Sequence, residues 1–255
     1  MHRHSQYLRL IMNKPFQISV LILFQITVSV CFAQFAGGNG TAEAPWQIAS
    51  AQHLNSVRDY LGEVHRDKYF LQTANIDLGV APWNTGEGWT AIGDNMNKFY
   101  GNYDGGYNTI ENLTIDRFAQ YQGLFGFTDG GYIKKLRLSD VAITSPSNFV
   151  GGIAARSLNT IFEDCSVSGT IQAGRYSGGL VGRMDGGEVD GCFTSGSVTA
   201  TSATSDAGGL IGYIAGTVAI ENCYSTMNVT GNRLNIGGFV GYAVSGTVTK
   251  SFATG

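Results

Sequence analysis

The segment Gly178-Gly179-Leu180-Val181-Gly182 recurs in related copies along the chain at a nearly constant interval, and this repetition is the main evidence for the fold. The other copies begin at Gly123, Gly152, Gly209 and Gly238. Counting Gly179 as the start of the central copy, the steps between first glycines are 29, 27, 30 and 29 residues. A period of this length is typical of a solenoid, a propeller or another repeat array.

A second phrase keeps step with the first. About 13 residues after each first glycine, an apolar residue and two polar residues precede a small or apolar core residue. The copies are Ile110–Leu113, Ile133–Leu136, Phe162–Cys165, Val189–Cys192, Ile220–Cys223 and Val248–Ser251. Two phrases held at one spacing are a stronger signal than a single Gly-x-x-Gly.

Together the two phrases resemble the GLUG-motif repeat family, the glycine-rich repeats of bacterial secreted and surface proteins, some of them adhesin-like. Such repeats also occur beside IgA-specific metallopeptidases. The resemblance covers Gly123 to Gly255, and Trp89–Gly93 and Tyr103–Ile110 resemble the segment that often precedes the repeats. It implies a parallel β-helix and a surface location, and it defines no reaction.

The residues of the repeats favour the same architecture. Short runs rich in Val, Ile and Thr alternate with Gly, Asn, Asp and Ser, as in strands joined by turns. The glycines leave no apolar helical period, and a propeller blade needs about 40 residues or more. We therefore predict an all-β fold, a right-handed parallel β-helix with a small helix-containing cap at its N-terminal end.

Residues 1–33 have the composition of a signal peptide. Three basic residues precede an apolar run from Phe16 to Ala33, which ends in a small-residue cleavage pattern. The alternative is a transmembrane anchor, for which the run is short. We expect a secreted or cell-surface protein with no membrane span after cleavage.

The remaining chain is acidic. Residues 1–33 hold three of the 16 basic residues and none of the 19 acidic ones, so residues 34–255 carry a formal net charge of −6. Nucleic-acid binding requires a basic face, and no nucleic-acid partner is expected.

Residues 34–98 are predicted to cap the solenoid, because an open β-helix end exposes strand edges that template aggregation. Ser50 is suited to cap a helix over Ala51–Leu61 that stops at Gly62, followed by strands at Tyr69–Gln72 and Ile76–Leu78.

Residues 99–255 hold the GLUG-type repeats. The sequence stops at Gly255 inside a repeat, which predicts a truncated array followed by further domains.

Stacking of the coils predicts two inward columns, with equivalent residues about 4.8 Å apart on successive rungs. One column is Leu113, Leu136, Cys165, Cys192, Cys223 and Ser251; the other is Leu124, Ile153, Leu180, Leu210 and Phe239. The three cysteines are expected to be buried free thiols. The paired glycines are expected at corners with positive φ or at close approaches of the backbone, and Met227, in a glycine position, is expected to distort the coil.

Catalytic signatures are missing from the sequence. It contains no His-Glu-x-x-His, no Gly-x-Ser-x-Gly and no phosphate loop, and we predict no catalytic residue, no metal and no cofactor. Glu163, Asp190 and Glu221 share one column, which predicts either a solvated acidic stripe or a Ca²⁺ site; the stripe is favoured.

The candidate ligand-binding residues are Phe193, Tyr224 and Phe252, which follow the core column by one position. Alternation turns them outward, where a row of rings would suit a glycan or an extracellular protein. The alternative is that they cover strand edges or point inward. We expect a non-catalytic, adhesin-like binding or spacer module. The rival functions are a carbohydrate-active β-helix enzyme, lyase or hydrolase, and an accessory module of a larger peptidase.

Overall fold

A computed structural model describes residues 33–231 and 235–255. These residues form a solenoid of parallel β-strands with about six turns and one short helix near the N-terminal end. The predicted all-β solenoid with a helix-containing cap is confirmed. The predicted signal peptide lies outside the described residues, apart from Ala33.

The strands, numbered β1 to β23 in chain order, form three parallel sheets. The first sheet contains β1 (Trp46–Ile48), β2 (Tyr69–Gln72), β4 (Asn102–Asp104), β7 (Phe125–Asp129), β8 (Tyr132–Lys134), β11 (Ala154–Glu163), β14 (Val181–Asp190), β17 (Ile211–Ile214), β18 (Val218–Glu221), β21 (Val240–Ala243) and β22 (Thr247–Thr249).

The other two sheets complete each coil. The second contains β3 (Ile76–Asp77), β5 (Thr109–Glu111), β6 (Thr114–Asp116), β9 (Arg137–Ser145), β12 (Ser166–Ala173), β15 (Phe193–Ala200), β19 (Tyr224–Gly231) and β23 (Phe252–Ala253). The third is the narrowest and contains β10 (Val150–Gly151), β13 (Ser177–Gly178), β16 (Asp206–Gly208) and β20 (Asn235–Gly237).

The repeated glycine phrase forms the corner between the third and first sheets. Gly178 ends β13, Leu180 is fully buried, and Val181 begins β14. A Cβ atom on Gly179 would lie 2.1 Å from the carbonyl oxygen of Gly209 on the next rung. Of the two expected reasons for glycine, close approach of the backbone therefore applies at Gly179.

The two predicted core columns run through the interior. Their members on the inner rungs are fully buried or nearly so, including Leu136, Cys192 and Leu180. Ser251 and Phe239, which belong to the last described rung, are half-buried. Stacking thus supplies each coil with the apolar cover that it lacks alone.

The segment before residue 99 contributes both strands and a helix. β1 and β2 pair in parallel, and β2 pairs with β4, so this segment shares the hydrogen bonding of the first sheet. Ser50 caps helix α1 (Ala51–Ser56) by accepting a hydrogen bond from the His53 N–H at 3.2 Å. The α-helix ends at Ser56 instead of the predicted Leu61, because the backbone tightens into a 3-10 turn at Val57–Tyr60.

The predicted distortion at Met227 is wrong. Strand β19 keeps an unbroken register with β15 from Phe193↔Tyr224 to Ala200↔Gly231, and Met227 pairs with Gly196. Met227 is fully buried, and its methyl group lies 2.9 Å from the position of a Cβ on Gly179, so the glycine corner leaves room for this side chain. In the described residues no helix is both long and apolar enough to cross a membrane.

Candidate functional site

The three candidate ligand-binding residues lie on the outer wall of the second sheet. Phe193, Tyr224 and Phe252 begin β15, β19 and β23 and are in direct register. Phe193 is 37% exposed, Phe252 is 56% exposed, and Tyr224 between them is half-buried. The structure therefore brings all three rings together at the surface, in a group that we call the ring stack.

The rings of this stack lie face to face. The Phe193 and Tyr224 centroids are 5.1 Å apart with planes at 4°, and the Tyr224 and Phe252 centroids are 5.4 Å apart with planes at 8°. Both faces of Tyr224 are thus covered by its neighbours, so the outer wall presents ring edges. This geometry differs from the flat row of open faces on which a sugar ring would lie.

Polar side chains continue the wall beyond the ring stack. They alternate with buried residues along β15 and β19, where Thr199 and Thr230 hydroxyl oxygens lie 3.2 Å apart. The polar residues of this wall are Ser195, Ser197, Thr199, Thr226, Asn228 and Thr230. The ring stack is accordingly an apolar feature with a hydroxyl-rich border.

The acidic column has the predicted register, with Glu163 opposite Asp190 and Asp190 opposite Glu221. Asp190 accepts a hydrogen bond from the Asn222 side chain at 2.8 Å, and Glu221 pairs with Lys250 at 2.6 Å. The Glu221 hydrogen bond raises the pKa of Lys250. In the part of the chain that the structure describes, no group of three or more His, Cys, Asp or Glu is placed to hold a metal ion.

The cysteine column is buried and unoxidised. Cys165, Cys192 and Cys223 are free thiols, as predicted. The Cys165 N–H donates to Cys192 Sγ at 3.4 Å, and the Cys192 N–H donates to Cys223 Sγ at 3.3 Å. Burial raises the pKa of the Cys192 thiol, which keeps it protonated and suited to a core position.

A second array, which the repeated phrases did not predict, runs along the first sheet and its glycine corner. We call it the arginine–aromatic ladder. Its members are Tyr121, Phe127, Phe149, Arg156, Tyr176, Arg183, Tyr213 and Tyr242.

Stacking and ion pairing hold this ladder together. Tyr121 and Phe149 centroids are 5.0 Å apart with planes at 1°, and the Arg156 guanidinium lies 4.8 Å from the Phe127 centroid. Asp185 accepts hydrogen bonds from both Arg156 and Arg183 at 2.8 Å. These contacts use the ring faces and charges internally, which favours a stabilising role.

The sequence did contain a signal for the ladder. Phe127, Arg156, Arg183, Tyr213 and Tyr242 each stand four residues after the first glycine of a repeat. The column contains both aromatic residues and arginines, so it has no single residue type by which to recognise it. Its pattern becomes visible only once the glycines set the register.

Comparison with known proteins agrees with the repeat assignment. The GLUG motif matches residues 203–230. A candidate Gly-rich membrane protein of Evansella cellulosilytica is 38% identical over 130 residues, which are 49% of this chain and 15% of that protein. Halomucin of Haloquadratum walsbyi is 34% identical over 208 residues, covering 69% of this chain and 2% of halomucin. The chain therefore spans a small part of both relatives.

A solved structure shares the fold. The crystal structure of a candidate immunoglobulin A1 protease from Bacteroides ovatus superposes with a TM-score of 0.55 at 20% identity, over 86% of this chain and 80% of that one. The GLUG match begins just before β16 and ends in β19, and the same two phrases recur at a similar period from Gly123 onward. The chain thus carries a GLUG motif at residues 203–230, within an array of repeats of the same two phrases.

Proposed function

We propose that this chain is a non-catalytic binding and spacer module of a secreted or cell-surface protein, adhesin-like in its use. The observation that carries the proposal is the ring stack of Phe193, Tyr224 and Phe252, three large rings held side by side on a polar outer wall. Exposed apolar side chains grouped in this way mark interaction surfaces. The similarity to halomucin and to a membrane protein supports the surface location.

Contacts within the chain hold the three rings of the stack in place. Each ring belongs to a strand that is hydrogen-bonded to its neighbours in the second sheet, and each is packed against the next ring. A partner therefore does not have to order these side chains, so little rotamer entropy is lost on binding. Aromatic residues surrounded by polar ones also match the usual composition of a binding hot spot.

Of the two expected partner classes, an extracellular protein fits the stack better than a glycan. Sugar rings pack on open aromatic faces, whereas both faces of Tyr224 are covered by Phe193 and Phe252. Ring edges and the Tyr224 hydroxyl suit the apolar and polar side chains of a protein surface. We therefore assign the stack to a protein partner.

The rival enzymatic function would need a carboxylate, a base and a groove in one place. The lateral carboxylates Asp190 and Glu221 are instead partnered by Asn222 and Lys250 on the same wall. This pairing supports a structural role for the acidic column and favours the binding module.

Substitution of Tyr224 tests the proposal. Tyr224→Ala removes the central ring and leaves the outer two unsupported, so we expect the Kd for a protein ligand to rise about tenfold, or about 1.4 kcal/mol. The ligands are purified extracellular-matrix proteins and mucin, the latter with and without enzymatic deglycosylation, and the measurement is biolayer interferometry.

Thr226→Ala is the matched control, because Thr226 is exposed on the same strand outside the stack. It should leave the Kd unchanged, and both variants should keep the Tm nearly unchanged. The proposal fails if no matrix protein binds, if Thr226→Ala weakens binding equally, or if deglycosylation abolishes it. Unfolding of Tyr224→Ala would assign the ring to the core instead.

A further inference from the structure

We propose that a cleft between the N-terminal cap and the first coils binds a neutral saccharide of one or two rings. The cleft has a volume of about 390 Å³, near the lower end of the range for small-molecule sites, about 300–1,000 Å³. Its walls come from three segments that are distant in sequence. These are the 3-10 turn around Arg58, the loop around Asp94 and Asn97, and the loop from Arg117 to Gln122.

The residues that line the cleft present hydrogen-bond donors and acceptors close to one another. The amide side chains of Asn97 and Gln120 are exposed at the rim and can both donate and accept. Asp94 holds the loop that carries Asn97. Its Oδ1 atom accepts hydrogen bonds from the backbone N–H groups of Met96 at 2.7 Å and Asn97 at 2.8 Å. Sugar hydroxyls, which also donate and accept, match such a surface.

Gln122 supplies an unpaired acceptor in the wall of the cleft. Its side chain is 4% exposed, and its amide group donates to the Gln120 carbonyl oxygen at 2.7 Å. Its Oε1 atom has no hydrogen-bond partner among the described residues. A buried acceptor without a donor costs free energy, and rotation of the Gln122 side chain toward the cleft would let a ligand hydroxyl pair with this atom.

The charges of the cleft favour a neutral ligand over an anion. The Arg58 guanidinium is already bound by the Asn55 side chain and by the Thr90 and Ala91 carbonyl oxygens. Arg117 is paired with Glu87 at 2.8 Å. No arginine of the cleft is therefore left to form the bidentate pair that carboxylates and phosphates prefer.

Other features of the lining agree with this choice. The carboxylates of Asp59 and Asp94 would repel an anion, whereas an apolar ligand would cover polar groups without pairing them. Tyr121 stands at the rim with its ring stacked between Phe127 and Phe149. Recognition in the cleft would thus rest on hydrogen bonds and not on ring stacking.

The inference goes beyond the proposed function and is independent of it. The cleft shares no residue with the ring stack, which begins at Phe193 on a later coil. A failure of protein binding at the stack leaves saccharide binding in the cleft intact, and the converse also holds.

Saturation-transfer NMR on the full chain tests the proposal, with lactose, maltose, cellobiose and N,N′-diacetylchitobiose as probes. We expect at least one neutral disaccharide to receive saturation, and glucose 6-phosphate and glucuronic acid to receive little. The double variant Asn97→Ala/Gln120→Ala, which changes exposed loop residues, should weaken the binding at least tenfold by titration. Arg117→Gln should weaken it as well, because Arg117 lines the cleft and donates a hydrogen bond to the Thr90 hydroxyl there.

Asn228→Ala is the matched control, since Asn228 is exposed on the outer wall of the second sheet, away from the cleft. This variant should bind the saccharide as the unchanged chain does. The proposal is overturned if none of the four disaccharides binds at millimolar concentration, if the anionic sugars bind more tightly, or if the double variant binds like the unchanged chain.

Discussion

At the scale of single residues, the cysteine column shows how one backbone interaction repeats through the core. The Cys192 and Cys223 thiols each accept the N–H of the equivalent residue one rung before, and the Ser251 hydroxyl accepts the Cys223 N–H at 3.0 Å. The Cys192 thiol also donates to the Asp190 carbonyl oxygen at 3.3 Å, and Ser251 donates to the Thr249 carbonyl oxygen at 2.8 Å. Cys192 and Ser251 therefore each accept one hydrogen bond from a backbone N–H and donate one to a backbone carbonyl oxygen.

Substitutions at Cys192 test this equivalence. Cys192→Asp would bury a carboxylate with no cationic partner in a fully buried position, and we expect a loss of about 3 kcal/mol or more in the free energy of unfolding. Cys192→Ser keeps both hydrogen bonds and should cost about 1 kcal/mol. Urea unfolding followed by tryptophan fluorescence measures both.

Thiol labelling provides a second test of whether the cysteine column is buried. In the folded chain the three described cysteines should react with a maleimide reagent only after denaturant is added, because all are buried. Rapid labelling of the native chain, or an equal loss of stability for the two Cys192 variants, would contradict the inward column.

At the scale of the coil, the glycine corner sets how closely rungs can approach. A Cβ on Gly179 would lie 2.1 Å from the Gly209 carbonyl oxygen and 3.1 Å from Thr194 Cβ. Neither the backbone oxygen nor the β-carbon can move without shifting a rung. The glycine phrase is therefore a steric requirement of stacking.

Gly179→Ala should accordingly destabilise the fold by about 2 kcal/mol or more, as for overpacked cores. Gly37→Ala is the control, because a Cβ there meets only the flexible end of the Gln47 side chain, at 3.2 Å. Thermal unfolding by circular dichroism should show a clear decrease of Tm for Gly179→Ala and little change for Gly37→Ala. Equal Tm values would show that the corner tolerates a side chain.

The repeat period determines which features of the coils could be predicted from the sequence. The period places Leu180 and Cys192 in buried columns, because identical side chains at one spacing imply identical environments on stacked rungs. The face-to-face geometry of Phe193 and Tyr224 was not predictable, since alternation gives the side of a strand and not the rotamer. The early end of the α-helix at Ser56 was missed because local propensity does not distinguish an α-turn from a 3-10 turn.

The cleft and the arginine–aromatic ladder were missed for a different reason. Arg58 and Arg117 are 59 positions apart, and only the packing of the cap on the first coils brings them to one cleft. In the ladder, Asp185 joins two arginines from adjacent rungs. Both features depend on non-local contacts between unlike residues, which a search for repeated phrases does not detect.

At the scale of the whole molecule, the residues that follow the predicted cleavage site make contacts with the cap. Gln34 donates to the Asp59 carboxylate at 2.9 Å and accepts from the Tyr60 hydroxyl at 3.0 Å. Phe35 is buried and stacks on Trp46 with centroids 5.0 Å apart. Side-chain contacts of the cap thus extend to the residue that follows the predicted cleavage site.

We therefore predict cleavage after Ala33, which would release the apolar segment and leave Gln34 and Phe35 in place. A cut three residues later would remove Phe35 from the aromatic cluster and expose Trp46, at a cost of about 1.5–3 kcal/mol for the lost burial of one large side chain. Intact-mass spectrometry of exported protein should accordingly give a chain that starts at Gln34. A chain that retains Met1 in the exported fraction would contradict the leader, and a start beyond Phe35 with an unchanged Tm would contradict the structural role of the Phe35–Trp46 stack.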